Sequence, residues 1–402
     1  MKKKTDSIAV IIAVVSSLVF LMTGHSHGGD THGVKDNIVK VGLIMDQTGP
    51  AASVTVGLTQ AIRSLVRHAN ENGGICGRKI KLIVEDDRYN IPAAISAFKK
   101  LFYKDKVAVL MGPSGSSALN ALMGKIEKEK IPLISTSMPE IAVNPFKRYV
   151  FTVADIYPNQ MNVLVDYIFK DLKAEKPRIA VVYPDNRTGK VDLRSTLKRL
   201  RLYQVEPVAK KVLNPGAVDA SSQIMSLKRV NPDHIILPGG SPQPTIVFLR
   251  DLKKYGLSVP VFGSFATCAE EVIEMTGQAS RNWYSVSCLS SWYDAGPGVA
   301  RMRKITLQHH PRTEKPYRGK LYTHGWVMGT VMIEGLKRAG RNLNREAYID
   351  ALECIRNLDT GGITGPISYS SKSHKGGDSW KIFKADPDTG KFIPLTGWRK
   401  SK

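Results

Sequence analysis

From Val39 onward, short runs of aliphatic and β-branched residues alternate with helical patterns. "VKVGLIMD" predicts a buried strand, and in "GLTQAIRSLVRHANENGG" the residues Leu58, Ala61, Ile62, Leu65, Val66 and Ala69 fall on one helical face. Gly73 and Gly74 close that helix. The unit recurs as "KIKLIVEDD" with a helix holding Ile95, Phe98, Leu101 and Phe102, then as "VAVLMG" with a helix to Lys130, then as "IPLISTS". After Pro177 a second series begins: "RIAVVYP", "VEPVAKKV", "HIILPGG", "VPVFGSF" and "NWYSVSC". Measured from Ile179, Val208, Ile235, Pro260 and Tyr284, the spacings are 29, 27, 25 and 24 residues. Each is about one βαβ step, which predicts a parallel sheet with right-handed crossovers.

Two such series, roughly 39–155 and 156–288, predict an α/β protein of two doubly wound parallel-sheet lobes of similar build. The helical stretches "GVARMRKITLQHH", "KLYTHGWVMGTVMIEGLKRAG" and "NREAYIDALECIRNL" are expected to complete the first lobe. The tail alternates with period two around "DPDTG", which reads as a β-hairpin.

Composition supports this division and adds a location. A chain of 402 residues that is 42% hydrophobic can build two cores, which excludes disorder as its general state. It opens with "MKKKTDSIAVIIAVVSSLVFLM", a basic start and then fifteen mostly apolar residues from Ile8 to Met22. That run is short of the ~20 residues that span a bilayer, so residues 1–28 read as a signal peptide and the start of a linker, with a retained anchor as the alternative. No cysteine follows the run to carry a lipid. Residues 29–37 continue the linker, and "HSHGGDTHG" places His25, His27 and His32 close together in it. A Gly-rich linker fixes no ligand geometry, so no metal is expected.

Export implies an oxidising compartment for Cys76, Cys268, Cys288 and Cys354. None has metal-ligand spacing. Cys268 and Cys288, near the ends of neighbouring elements, are candidates for one disulfide, with free buried thiols as the alternative. The net charge is +23, or +21 without residues 1–24, since Lys2, Lys3, Lys4 and Asp6 together contribute +2. The basic residues are dispersed along helix faces, as in "RSTLKRLRLY", without the aromatic-and-basic pattern of nucleic-acid recognition.

The chemistry concentrates at strand ends. "GPSGS" misses the nucleophile elbow at its last position, and no phosphate-loop lysine, dinucleotide-binding glycine pattern, His-x-x-x-His or paired-carboxylate arrangement appears. An enzyme and a cofactor are therefore not expected. Four polar turns remain: "GPSGS" with Ser114, Ser116 and Ser117; "ISTSMPE" with Ser137; "LPGGSP" with Gly240; and "FGSFAT" with Phe265. Two lie in each lobe, where hydroxyls and free N–H groups at the starts of helices suit a carboxylate or another anion. Open α/β sheets place their ligands at such strand ends.

"VKVGLIMDQTGPAA", "NENGGICGRKIKLIVEDD", "MGPSGSSA", "IPLISTS", "DTGGITGPISYS" and "ADPDTGKF" resemble the periplasmic binding proteins of the leucine/isoleucine/valine type, over about residues 38–395. The resemblance implies two lobes, 38–155 plus 289–361 and 156–288 plus 362–402, exchanging near Asp155, Cys288 and Gly361. It implies closure around a small molecule and delivery to an inner-membrane ABC permease. By position, Ser116 would bind the ligand carboxylate, Ser137 would offer main-chain and hydroxyl groups, and Asp155 would stand at the first crossing. Two residues depart from the pattern: Phe265 replaces the acid that would hold an ammonium group, and Thr188, beside Arg187, replaces an aromatic residue. A small carboxylate, aromatic or branched aliphatic, is therefore expected before a leucine-like amino acid, with Arg187 free to pair a carboxylate. A ligand-sensing module for a membrane receptor shares every one of these features, and a hydrolase on the same scaffold is the more distant alternative.

Overall fold

A computed structural model describes residues 32–309 and 319–401. The signal-like segment, His25 and His27 lie outside them. Strand β1 (Ile38–Ile44) buries Val39, Val41, Leu43 and Ile44. It does so because it runs between β2 (Lys79–Glu85) and β3 (Val109–Met111), and β4 (Leu133–Ser135) and β5 (Val150–Thr152) extend the sheet in the order β2-β1-β3-β4-β5, all parallel. Helix α1 (Ala52–Glu71) buries Leu58, Ala61, Ile62, Leu65 and Val66, the face its 3.6-residue period predicts. Helices α2 (Ile91–Lys99) and α3 (Ser116–Glu129) follow β2 and β3.

The second sheet begins at β6 (Ile179–Tyr183) and continues through β7 (Ala209–Val212), β8 (His234–Leu237), β9 (Val261–Gly263) and β10 (Trp283–Ser287). These five strands pair in parallel, in the order β10-β9-β8-β6-β7. Helix α4 (Tyr157–Asp166) precedes the series, and α5 (Arg187–Leu202), α6 (Ser221–Val230), α7 (Pro242–Lys254) and α8 (Glu270–Thr276) connect its strands. The sheet is mixed rather than wholly parallel. The predicted hairpin forms as β11 (Ser379–Asp386) and β12 (Lys391–Pro394), and β11 pairs antiparallel with β10 while also taking β13 (Arg399–Lys400). Parallel βαβ spacing cannot reveal such an addition, because β11 arrives by the last passage from the first lobe rather than by a crossover from β10.

Helices α9 (Pro297–His309), α10 (Lys320–Ala339) and α11 (Arg345–Glu353) follow β10, with α9 and α10 packed on α1 and α11 packed on α10. Gly325 of α10 crosses α1 so closely that a Cβ there would lie 2.2 Å from the Leu58 carbonyl oxygen, which fixes a glycine at the crossing. The third passage between sheets falls later than Gly361. Residues up to Gly376 still hold the first lobe: Thr152 N–H donates to the His374 carbonyl at 3.0 Å, Gly376 N–H donates to the Thr152 carbonyl at 2.9 Å, and the His374 ring stacks on Phe151 at 3.7 Å. The start of the linker also needs correction. Lys40 N–H donates to the Gly33 carbonyl, Val34 bridges to Val39, and His32 meets the Phe102 ring at 5.8 Å, so residues 32–37 pack on the first lobe.

All four cysteines are free thiols, so the Cys268–Cys288 pairing does not form. Both are buried, and burial pushes the Cys268 thiol up to about 12 and the Cys288 thiol further. Among the described residues no helix is long and apolar enough to cross a membrane, and no three His, Cys, Asp or Glu side chains cluster to hold a metal.

Candidate ligand site

The turn after β3 is shaped by Gly112, at φ +105°, where a Cβ would lie 2.1 Å from the Ile44 carbonyl oxygen. That close approach brings three strand ends together. Ser114 N–H donates to Asp87 Oδ2 at 2.9 Å, and its Oγ accepts the Asp46 N–H. Ser114 thus braces the ends of β1, β2 and β3, and its hydroxyl oxygen is already engaged. Asp46 in turn accepts from Gly49 N–H at 2.5 Å and Ala51 N–H at 2.8 Å, which orders the entry to α1. Burial raises the Asp87 carboxyl, and the Ser114 donor opposes that rise.

Ser116 opens α3, half-buried, and Ser117 beside it is exposed. The N-cap residue is Gly115, and no side chain caps the first turn, so the leading N–H groups of a 14-residue helix have no intrahelical partner and no capping side chain. At the end of β4, Ser135 Oγ donates to the Ser137 carbonyl at 2.6 Å, which folds the turn back. Ser137 is 5% exposed with its Oγ unpartnered, and the buried Thr136 Oγ1 is unpartnered as well. Buried hydroxyls without partners are costly, and a ligand group can supply what is missing.

The second lobe meets this surface through the first turn of α4. Tyr157 N–H donates to the Met138 carbonyl at 2.9 Å, just past the β4 turn. One turn along, Gln160 Oε1 accepts the Phe265 N–H at 2.7 Å, at the end of β9. The start of α4 therefore sits between strand ends of both sheets. Burial holds the Tyr157 phenol well above its ordinary value.

Phe265 is buried, its ring 5.9 Å from His324 of α10 and 6.3 Å from Trp380 of β11, both in edge-on geometry. It forms an apolar wall where the two lobes touch. His324 is 1% exposed with neither ring nitrogen partnered, and burial pulls it down to about 4, so it is a neutral imidazole at physiological pH. Gly240 is half-buried beyond β8, and Thr188 is half-buried in the first turn of α5. Arg187 is exposed as the first residue of α5, so it is not part of a buried surface.

Asp155 is engaged elsewhere. Its Oδ1 accepts from Ile156 N–H and Asn159 Nδ2 and pairs with Lys375 Nζ at 2.9 Å, while Oδ2 accepts from Trp380 Nε1 and Ser401 Oγ. With both oxygens occupied, it fastens the crossing and has no capacity left for a ligand. The sequence reading missed Gln160, Asp192, His324 and Trp380. Asp192 carried a signal: in a helix with six basic residues it falls in line with Gly189, Thr196 and Leu200, all buried in the structure.

Two α/β sheets, linked by three passages and presenting polar turns on either side of one helix start, define a two-lobed binding protein. The family model described as "Periplasmic binding protein" matches residues 38–391. The chain belongs to that family, whose members bind substrates. It is 21% identical over 363 residues to the leucine-specific-binding protein of Salmonella typhimurium, covering 89% of this chain and 94% of that one. Among solved structures it resembles a branched-chain amino acid ABC transporter protein from Thermus thermophilus with bound valine, at TM-score 0.82 and 20% identity over 91% of this chain and 97% of that one. It also resembles a fatty acid ABC transporter substrate-binding protein from Thermomonospora curvata, at TM-score 0.80 and 21% identity over 92% and 94%.

Proposed function

We propose that this chain is the periplasmic substrate-binding component of an ABC importer of the branched-chain amino acid type, taking a small carboxylate or amino acid by hinge closure. The observation that carries the ligand chemistry is the first-lobe surface: an uncapped α3 start beside the unpartnered Ser137 and Thr136 hydroxyls. Ser116 and Ser137 would hold the carboxylate, and the Phe265 turn, with Gly240 and Thr188, would close over the rest of the molecule. The relatives named for leucine and valine, and the neighbour named for a fatty acid, share a carboxylate and differ in what accompanies it. Residues 1–28 would direct export, and an inner-membrane permease would receive the loaded protein.

A thermal-shift screen of amino acids against organic acids tests this reading. Ligand at 100 times its Kd adds ~2.7 kcal/mol to stability. A clear rise in Tm with at least one small carboxylate or amino acid is expected. Failure of every such compound to stabilise the protein would overturn the ligand class.

A further inference from the structure

Behind the second-lobe face lies a polar chain that the ligand surface itself does not include. Asp192, in the second turn of α5, is 1% exposed. Its Oδ2 accepts from Gln160 Nε2 at 3.2 Å, and the Gly239 N–H faces this carboxyl and opposes the rise that burial causes. Gln160 passes the contact on, since its Oε1 accepts the Phe265 N–H at 2.7 Å. The amide orientation follows from the partners, because the Phe265 N–H requires an oxygen and the carboxyl requires a donor. One carboxyl is thereby hydrogen-bonded to the first turn of α4, which holds the turn after β9, and faces the turn after β8. The β8 turn is held close in any case, for a Cβ at Gly239 would lie 2.7 Å from Gly189 Cα on α5.

We propose that Asp192 is a positioning residue for the ligand site, acting through Gln160 and Gly239 to set the second-lobe turns that carry Gly240 and Phe265. This rests on the binding role proposed above. Asp192 Oδ1 has no partner, so the Gln160 amide on its neighbour oxygen is the donor that offsets its burial. Burial costs the ionised form more than this donor returns, so the native arrangement holds Asp192 best when it is neutral. Burial pushes this carboxyl up to about 7, which places the change in grip near neutral pH. The titratable group that faces it is the Tyr157 phenol on α4, which burial keeps neutral throughout that range. On α5 itself Arg199 is turned away to Asp166, at 2.5 Å.

Amide hydrogen exchange at Gly239 and Phe265, measured on the full chain without ligand, tests the tie directly. Asp192→Ala is expected to speed exchange at both amides about tenfold, the scale of one charge-assisted hydrogen bond. Asp192→Asn keeps an acceptor and is expected to restore protection. In the wild type, protection at these amides relative to Asp192→Asn should fall between pH 6 and 8, as the buried carboxyl ionises. Calorimetric titration of L-leucine and 4-methyl-2-oxopentanoate supplies the functional arm: whichever binds should lose affinity in Asp192→Ala and recover it in Asp192→Asn. Unchanged exchange at both amides in Asp192→Ala overturns the inference, whatever the protein binds. Exchange that follows the pattern while neither probe binds supports the tie and counts against the proposed ligand class.

Discussion

The Trp380 indole donates its Nε1–H to Asp155 Oδ2 at 3.2 Å, joining residues 225 positions apart in the chain. Asp155 stands where the chain first leaves the five-stranded sheet, and Trp380 lies on β11 just after it enters the other sheet for the last time. Two of the three passages are therefore clasped at one buried carboxylate, with Lys375 as its charge partner.

Removing that carboxylate should be costly. Asp155→Ala strands the Trp380 indole N–H and the half-buried Lys375, for an expected loss on the order of 3 kcal/mol in denaturant unfolding. A loss below about 1 kcal/mol would show that the clasp contributes little, as at an exposed ion pair.

Ser116 should behave oppositely, because nothing in the ligand-free fold depends on its hydroxyl. Ser116→Ala is expected to weaken ligand binding by about 1 to 3 kcal/mol, the worth of a hydrogen bond to a charged group. Stability without ligand should barely move. An unchanged Kd in calorimetry would remove Ser116 from the site.

Two buried groups give stability opposite pH slopes. The Asp192 carboxyl is raised to about 7, so its favourable contribution is complete below its ordinary value of 3.8 and is lost as pH rises through 7. His324 is lowered from 6.5 to about 4, so its contribution is complete above 6.5 and is lost as pH falls through 4. Relative to wild type, Asp192→Asn should gain stability from pH 5 to pH 8, and His324→Leu should gain from pH 7 to pH 5. Denaturant midpoints at these pH values measure both, and offsets that stay constant with pH would contradict the assignment.

The thiols offer a direct count. Cys76 and Cys354 are exposed and Cys268 and Cys288 are buried, all four free. Ellman's reagent should find two reactive thiols in the native protein and four in denaturant, and a reductant should leave Tm unchanged. A reductant-sensitive Tm would mean that Cys268 and Cys288 are joined after all.

Most of the architecture was legible because each unit repeats a local rule. The apolar face of α1 and the spaced strands β6 to β10 follow from periodicity, and the hairpin at "DPDTG" follows from turn chemistry. Strand β5 was not separable, since three residues within "YVFTVA" carry no period of their own. Of the residues proposed for the site, Ser116, Ser137 and Phe265 are picked out by their places at strand ends. Ser114 and Asp155 did not reveal their roles, because bracing depends on partners 68 and 225 positions away. His324 was hidden for a related reason: a histidine within an apolar helix reads the same whether or not its nitrogens find partners.

Closure of the two lobes on a small carboxylate or amino acid would shorten the distance between their facing helix starts. Spin labels at Asn120→Cys on α3 and Lys190→Cys on α5, both exposed positions near the helix starts, report the gap across the cleft once Cys76 and Cys354 are replaced by serine. Pulsed electron-spin distance measurements with and without the compound that most raises Tm should show the distribution shifting to shorter distances on binding. A ligand that stabilises the protein while leaving that distribution unchanged would contradict hinge closure.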